Sequence, residues 1–137
     1  MDLLRVLRPS VPTHLKMKLP ERRYATEIVQ LPSGNELITF YPNSNSPKEV
    51  LDLFENEKCA RNTFCIDLNG KVLWQIAKTD RKESDCFVRM IVDPQVITKY
   101  YPQIDTCREF VGVTSRGYRC KVNKENGSVI VFGWDRG

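Results

Sequence analysis

The stretch that decides the fold is NTFCIDLNGKVLWQI, residues 62–76. Two runs of apolar and β-branched residues flank the dipeptide Asn69-Gly70. Asn-Gly permits positive φ at both central positions of a type I′ turn, whose twist matches that of a β-hairpin. The sequence therefore predicts a hairpin with Asn69 and Gly70 as its turn residues. Alternation along a strand predicts that one face of the first strand carries Phe64, Ile66 and Leu68.

Similar runs of β-forming residues continue on both sides of this hairpin, separated by short turn signals. The predicted strands cover residues 24–31, 36–41, 86–92, 96–101, 108–115, 118–123 and 128–134, with an edge strand at 15–19. Glycine is expected at turn positions at Gly34, Gly70, Gly117 and Gly127. About nine short strands at such intervals are typical of an all-β meander.

One helix is predicted at about residues 46–57. Ser46 and Glu49 have the spacing of a capping box, and Pro47 suits the first helical position. The residues expected on its apolar face are Val50, Leu51, Leu53 and Phe54. The predicted fold is mainly β (α+β), a single antiparallel β-meander or curved sheet with this helix packed on it.

The length of 137 residues favours one domain, which we expect to span residues 24–137. The formal net charge is +4, which permits an acidic or nucleic-acid partner without requiring one. Residues 1–23 form a basic N-terminal arm in this interpretation. The arm either drapes on the domain or contacts an acidic partner or phosphates.

Five cysteines, an odd number with no closely spaced pair, favour reduced thiols in a cytosol over a secreted disulfide framework. No apolar run approaches the ~20 residues of a membrane span. The N-terminal segment is interrupted by Arg5, Arg8 and Pro9, unlike a signal peptide. We therefore expect a cytoplasmic protein with no membrane partner.

The sequence offers no recognisable catalytic set. Its single histidine, His14, lies in the arm, which is a poor place for the second group that must hold a catalytic base in register. Metal-ligand pairs, phosphate loops and dinucleotide fingerprints are missing from the pattern. Four acidic residues are interpreted as turn formers, namely Asp67, Asp85, Asp93 and Asp105. We expect no enzyme activity, no catalytic residue, no metal and no cofactor.

Candidate partner-binding residues fall in two places. The charged segment at residues 77–85 is either a solvated connector or a recognition loop, with candidates Asp80, Arg81, Lys82 and Glu83. Tyr100, Tyr101 and Arg116 lie near predicted strand ends, and Tyr and Arg are typical interface anchors. The alternative for the adjacent tyrosines is that one of them faces the core.

Three stretches carry a family resemblance: residues 62–76, the segment DCFVRM at 85–90, and GYRCKVN at 117–123 continuing to Val129. This order resembles small bacterial immunity proteins of polymorphic-toxin and contact-dependent growth inhibition systems, over residues 62–92 and 109–134. The resemblance implies a cytosolic protein that binds and neutralises one cognate toxin encoded beside it. Members that inhibit nucleases tend to be acidic, so this basic chain departs from that pattern.

The alternative function is a small basic nucleic-acid-binding module. The cations considered are Arg89, Arg116, Arg119 and Lys121, and the neighbouring aromatic residues are Phe87, Tyr118 and Trp134. Basic groups interleaved with stacking aromatics on a sheet suit single-stranded nucleic acid. Most of these aromatics occupy positions with a core pattern, which makes a nucleic-acid partner the weaker prediction.

Overall fold

A computed structural model of the chain describes residues 19–43, 45–54, 60–79 and 84–134. It contains two four-stranded antiparallel sheets. Sheet A has the strands Glu27–Gln30 (β1), Glu36–Thr39 (β2), Thr63–Ile66 (β3) and Val72–Gln75 (β4). Sheet B has the strands Phe87–Ile91 (β5), Glu109–Thr114 (β6), Tyr118–Asn123 (β7) and Val129–Trp134 (β8). The helices are Lys48–Leu51 (α1) and Pro94–Tyr100 (α2), after a 3-10 turn at Arg22–Tyr24.

The predicted mainly-β class is confirmed. Each strand pairs with its neighbour in the chain, so each sheet is a meander, and the strands divide into two sheets between β4 and β5. The predicted edge strand at residues 15–19 lies almost wholly outside the described residues, as does the arm up to residue 18.

The strand predicted at residues 96–101 is wrong, because α2 occupies most of this segment. Asp93 caps the helix, with its carboxylate accepting from the backbone N–H of Gln95 at 2.9 Å. Pro94 takes a first-turn position, where its missing N–H costs no intrahelical bond. The Asp-Pro pair, interpreted as a turn between strands, is therefore a helix start.

The predicted capping box of α1 is also wrong. Pro47 is the N-cap and makes no side-chain cap bond. The Ser46 hydroxyl accepts instead from the backbone of Asn43 at 2.8 Å, and Glu49 accepts from the backbone N–H of Glu21. Val50 and Leu53 are buried as predicted, but Leu51 is 47% exposed. Residues 55–57 of the predicted helix lie outside the described residues.

The β3–β4 hairpin forms, but with a different turn. The backbone N–H of Gly70 donates to the carbonyl of Asp67 at 3.0 Å, which makes Leu68 and Asn69 the central residues. Gly70 itself takes the left-handed conformation, with φ 83°. Leu68 therefore stands at the tip, 78% exposed, rather than on the strand face. The four glycines expected at turns, Gly34, Gly70, Gly117 and Gly127, all have positive φ.

Both sheets contribute to the main core. Trp74 of sheet A stacks on Phe110 of sheet B, with ring centroids 6.4 Å apart. A second core covers the other face of sheet A, where Phe64 and Ile66 pack with Val50 of α1. Every residue of β3 is therefore buried, since both faces of sheet A are covered.

Side chains join the two sheets where no strand pairing does. The buried amide of Asn62 accepts from the N–H of Phe87 at 3.0 Å and donates to its carbonyl at 2.8 Å. The carboxylate of Glu27 accepts from the N–H of Met90 at 2.8 Å. These bonds satisfy backbone groups of β5 and fix its position against sheet A.

Candidate partner-binding groove

An open concavity with an apolar lining lies between β5 and α2. We call it the α2 groove, and its volume is about 510 Å³. Its lining residues are Arg89, Met90, Ile91, Val92, Asp93, Val96, Tyr100 and Tyr101. The volume lies in the range of pockets that seat side chains or small ligands.

Helix α2 presents one face to the core and one to solvent. Ile97 is 1% exposed and anchors the helix on sheet B. Val96 and Tyr100 are four residues apart, which places them on one helical face. They are 37% and 62% exposed. The ammonium of Lys99 lies 5.2 Å from the Tyr100 ring centroid, so the exposed aromatic ring has a cation beside it.

The adjacent tyrosines have different roles, as the alternative for this pair predicted. Tyr101 is partly buried and packs edge-on against Phe132, with ring centroids 5.9 Å apart. Its hydroxyl accepts from the Nε–H of Arg119 at 3.1 Å. Tyr101 therefore stabilises the wall of the groove through Phe132 and Arg119, whereas Tyr100 is exposed and available to a partner.

Arg116 lies outside the groove, on the turn between β6 and β7. Its Nε–H donates to the carbonyl of Ser84 at 2.6 Å, and its own carbonyl accepts from the indole of Trp134 at 2.9 Å. The structure therefore gives Arg116 a role in closing this turn and does not bring it to Tyr100. Asp80, Arg81, Lys82 and Glu83 lie outside the described residues, so their candidacy remains a prediction.

Arg89 lines the groove but is not among the partner-binding candidates, which include only Tyr100 and Tyr101 of the lining residues. It is exposed on β5 and lies opposite Val113 of β6. The sequence signal that could have found the site is the Asp93-Pro94 helix start. A helix from Pro94 places Val96 and Tyr100 on one face and turns that face beside the end of β5.

All four acidic residues interpreted as turn formers accept backbone N–H groups, although Asp93 does so at the start of α2 and not in a turn. Asp67 accepts from Asn69, Asp93 from Gln95, and Asp105 from Cys107. Asp85 is buried, and one of its oxygens accepts from the N–H of Cys86 and the hydroxyl of Ser115. These carboxylates form hydrogen bonds to backbone N–H groups, which agrees with their interpretation as structural residues.

The cysteines described are poor nucleophiles where they are buried. Burial raises the pKa of both the Cys65 and the Cys86 thiols to about 11. Such thiols remain protonated at neutral pH, and the thiolate is the reactive form. Cys107 is an exposed free thiol. Cys59 and His14 lie outside the described residues.

Within residues 19–43, 45–54, 60–79 and 84–134, no group of three or more His, Cys, Asp or Glu side chains is arranged to hold a metal ion. No helix in the same part of the chain has the length and apolar character needed to cross a membrane. Comparisons with protein-family models, with curated proteins and with solved structures found no significant match.

Proposed function

We propose that this chain is an immunity-type protein of the bacterial cytosol that binds a cognate toxin domain and neutralises it stoichiometrically. The α2 groove is the contact surface in this proposal. The observation that carries it is an exposed apolar groove with Tyr100 on its helical side and Arg89 on its strand side. That the partner is a toxin is what the family resemblance of residues 62–92 and 109–134 implies.

The groove has the chemistry of an interface anchor. A Tyr or Arg at the centre of an interface typically contributes more than 1 kcal/mol when it becomes fully desolvated. Tyr100 projects from a helix that Ile97 fixes to the core, so a partner does not have to order the helix on binding. The exposed apolar surface of Val96 extends this contact surface along the helix.

Charge indicates which partner segment suits the groove. Arg89 lines it and Lys99 lies beside Tyr100, while the carboxylate of Asp93 accepts the N–H of Gln95. A toxin segment with an apolar side chain next to an acidic residue would complement this arrangement. Mimicry of nucleic acid by an acidic inhibitor does not apply, because this chain has a formal net charge of +4.

The experiment starts from the reading frame encoded beside the gene for this chain. Its product is expressed in a host cell with and without this chain, and growth is measured. The proposal expects growth arrest by the neighbour alone, rescue by co-expression, and a complex of one copy of each by light scattering. A harmless neighbour, or arrest that co-expression does not relieve, would contradict the proposal.

Tyr100→Ala tests whether the groove is the contact surface. We expect it to weaken toxin binding by at least about tenfold, since an exposed aromatic anchor is lost. The matched control is Tyr41→Ala, which removes another exposed tyrosine that does not line the α2 groove. Isothermal titration calorimetry measures both. Equal losses of toxin affinity in the two variants, or no loss for Tyr100→Ala, would mean that the groove is not the contact surface.

Nucleic-acid binding remains the second prediction, with less to support it. Arg119 is buried and bonded to Tyr101, the Arg116 side chain is bonded to Ser84, and Phe87 is 1% exposed. Three of the seven residues considered for this role are therefore committed to the fold, whereas Arg89 and Trp134 are exposed. A nucleic-acid partner would bind with steep salt dependence because counterions are released, whereas the toxin complex should depend modestly on salt.

A further inference from the structure

A second pocket lies where the ends of three strands meet. Tyr41 and Pro42 follow β2. Asp85 precedes β5, and Ser115 follows β6. These residues, with Phe54 after α1, line a volume of about 310 Å³ that we call the Asp85 pocket. Among the described residues it shares no lining residue with the α2 groove, so an inference about this pocket does not rest on the proposed function.

The two oxygens of the Asp85 carboxylate have unequal surroundings. Oδ1 accepts from the N–H of Cys86 at 2.9 Å and from the N–H of Arg116 at 3.2 Å. It also accepts from the hydroxyl of Ser115 at 2.8 Å. Oδ2 is buried and has no hydrogen-bond donor within the described part of the chain. Asp85 as a whole is 6% exposed, so bulk water does not solvate this carboxylate as it would a surface one.

A buried carboxylate oxygen without a donor requires an explanation. Nearly all buried polar atoms in folded proteins form hydrogen bonds, and a buried charge is costly unless it is paired. The neighbouring cation does not supply the bond, because the Nε–H of Arg116 donates to the carbonyl of Ser84 at 2.6 Å. Since Asp85 lines the pocket, a donor that enters the pocket approaches a carboxylate with one unused acceptor.

The chemistry of Asp85 indicates which kind of donor suits it. A carboxylate forms its strongest hydrogen bonds with cations. A guanidinium is best bound by both oxygens of a carboxylate, but Oδ1 already accepts three bonds, so a compact ammonium suits the remaining oxygen better. A divalent metal ion needs several ligands, and the described residues group no three His, Cys, Asp or Glu side chains to provide them.

The opposite side of the pocket suits an aliphatic chain. Tyr41, Pro42 and Phe54 are the apolar lining residues, and Tyr41 is 42% exposed. The methylene groups of an alkylamine pack on such surfaces while the charged end remains bonded to a polar group. The faces of aromatic rings also attract cations.

We propose that the Asp85 pocket binds a primary alkylammonium group. Its N–H donates to Oδ2 of Asp85, and its aliphatic chain packs against Tyr41 and Phe54. A free alkylamine and a lysine side chain of another protein share this chemistry.

The test is a titration of the full chain with n-pentylamine at neutral pH, followed by two-dimensional NMR of the backbone amides. The expected result is a saturable shift at the amides of Cys86 and Arg116, which donate to the same carboxylate. The control ligand n-pentanol has the same chain without the charge and should bind at least about tenfold more weakly. No saturable shift at these amides, or equal binding of n-pentanol, would overturn the proposal and leave water as the partner of Oδ2.

A second titration identifies the source of the ammonium group. Nα-acetyl-lysine N-methylamide presents the same group as a lysine within a peptide. Tighter binding of this compound than of n-pentylamine assigns the pocket to a lysine side chain, and the reverse order assigns it to a free amine. Both orders support the ammonium site.

Asp85→Asn tests the carboxylate itself. The variant keeps an oxygen for the donors of Oδ1 and replaces Oδ2 with an amide nitrogen that donates, so the dissociation constant for n-pentylamine should rise at least about tenfold. The matched control is Asp105→Asn, at an exposed aspartate that also accepts a backbone N–H. Circular dichroism confirms that both variants fold. Unchanged binding in Asp85→Asn, or an equal loss in Asp105→Asn, would overturn the site, and the comparison of the two ligands on wild type decides the matter if Asp85→Asn does not fold.

Discussion

Polar side chains have opposite roles at the contact between the two sheets, which we call the seam (Asn62 and Trp74), and at the α2 groove. At the seam, Asn62 and Trp74 are buried and their polar atoms bond to backbone groups of sheet B. At the groove, Tyr100 and Arg89 are exposed beside apolar surface. Polar groups that are buried and satisfied stabilise the fold, whereas exposed ones remain available to a partner. Substitutions should therefore separate stability from binding.

The largest loss of stability is expected from Asn62→Ala. It leaves the N–H and carbonyl of Phe87, together with the carbonyl of Phe40, without the bonds that Asn62 supplies. Each unsatisfied buried polar group costs about 1–3 kcal/mol, so the three groups together should cost at least about 3 kcal/mol. Urea unfolding measures it. The control Asn69→Ala changes an exposed turn residue and should cost under about 1 kcal/mol.

Gly127→Ala should come next. A Cβ at this position would clash with Cε3 of Trp74, whose ring stacks on Phe110 and cannot easily move. Gly127 also has φ 75°, which strains any L-residue. We expect a loss of about 2–4 kcal/mol by thermal unfolding.

The matched variant Gly70→Ala separates the two causes. Gly70 has φ 83°, but a Cβ there meets nothing within 4 Å. Its cost should be the backbone strain alone, about 1–2 kcal/mol. If the two alanine variants were equally stable, the close approach of Trp74 to Gly127 would add nothing to the cost of the substitution.

Tyr100 and Tyr101 test the distinction between binding and stability at two adjacent positions. Tyr101→Phe removes the acceptor of the Arg119 Nε–H and should cost about 1–2 kcal/mol in urea unfolding. Tyr100→Phe changes an exposed hydroxyl and should leave the free energy of unfolding within about 0.5 kcal/mol. The reverse order would mean that Tyr100, rather than Tyr101, is the structural residue.

The smallest effect is a pH dependence at Glu27. Burial raises the pKa of this carboxyl above its ordinary value, although the N–H of Met90 and the charge of Arg89 oppose the shift. The folded chain therefore holds the proton more tightly than the unfolded chain. The cost of ionising Glu27 is absent below the unfolded pKa and reaches its full size above the folded pKa.

Wild type should accordingly lose stability relative to Glu27→Gln as pH rises from below the unfolded pKa of this carboxyl to above its raised folded pKa. The glutamine keeps an oxygen that can accept from the N–H of Met90, so the variant removes the ionisation and retains the bond. Urea unfolding at several pH values measures the difference. A difference that grows in the opposite direction would mean that the ionised carboxylate stabilises the seam.

Part of the candidate site was predictable. Tyrosine is a typical interface anchor, which makes Tyr100 a candidate from its residue type alone, and alternation predicts that one of Tyr100 and Tyr101 faces the core. The groove was not predicted, because residues 96–101 were assigned to a strand and the helix start at Asp93-Pro94 was interpreted as a turn. Without α2, nothing in the sequence places Tyr100 beside Arg89 of β5.

The sequence by itself determined the local features of this protein. The hairpins, the mainly-β class and the positive φ of Gly34, Gly70, Gly117 and Gly127 follow from turn chemistry and alternation, which act over a few residues. Only the tertiary structure decided the division into two sheets, the seam made by Asn62, and the burial of Arg119 beneath Tyr101. The physical reason is that burial depends on which distant element covers a side chain, and short-range patterns do not carry that information.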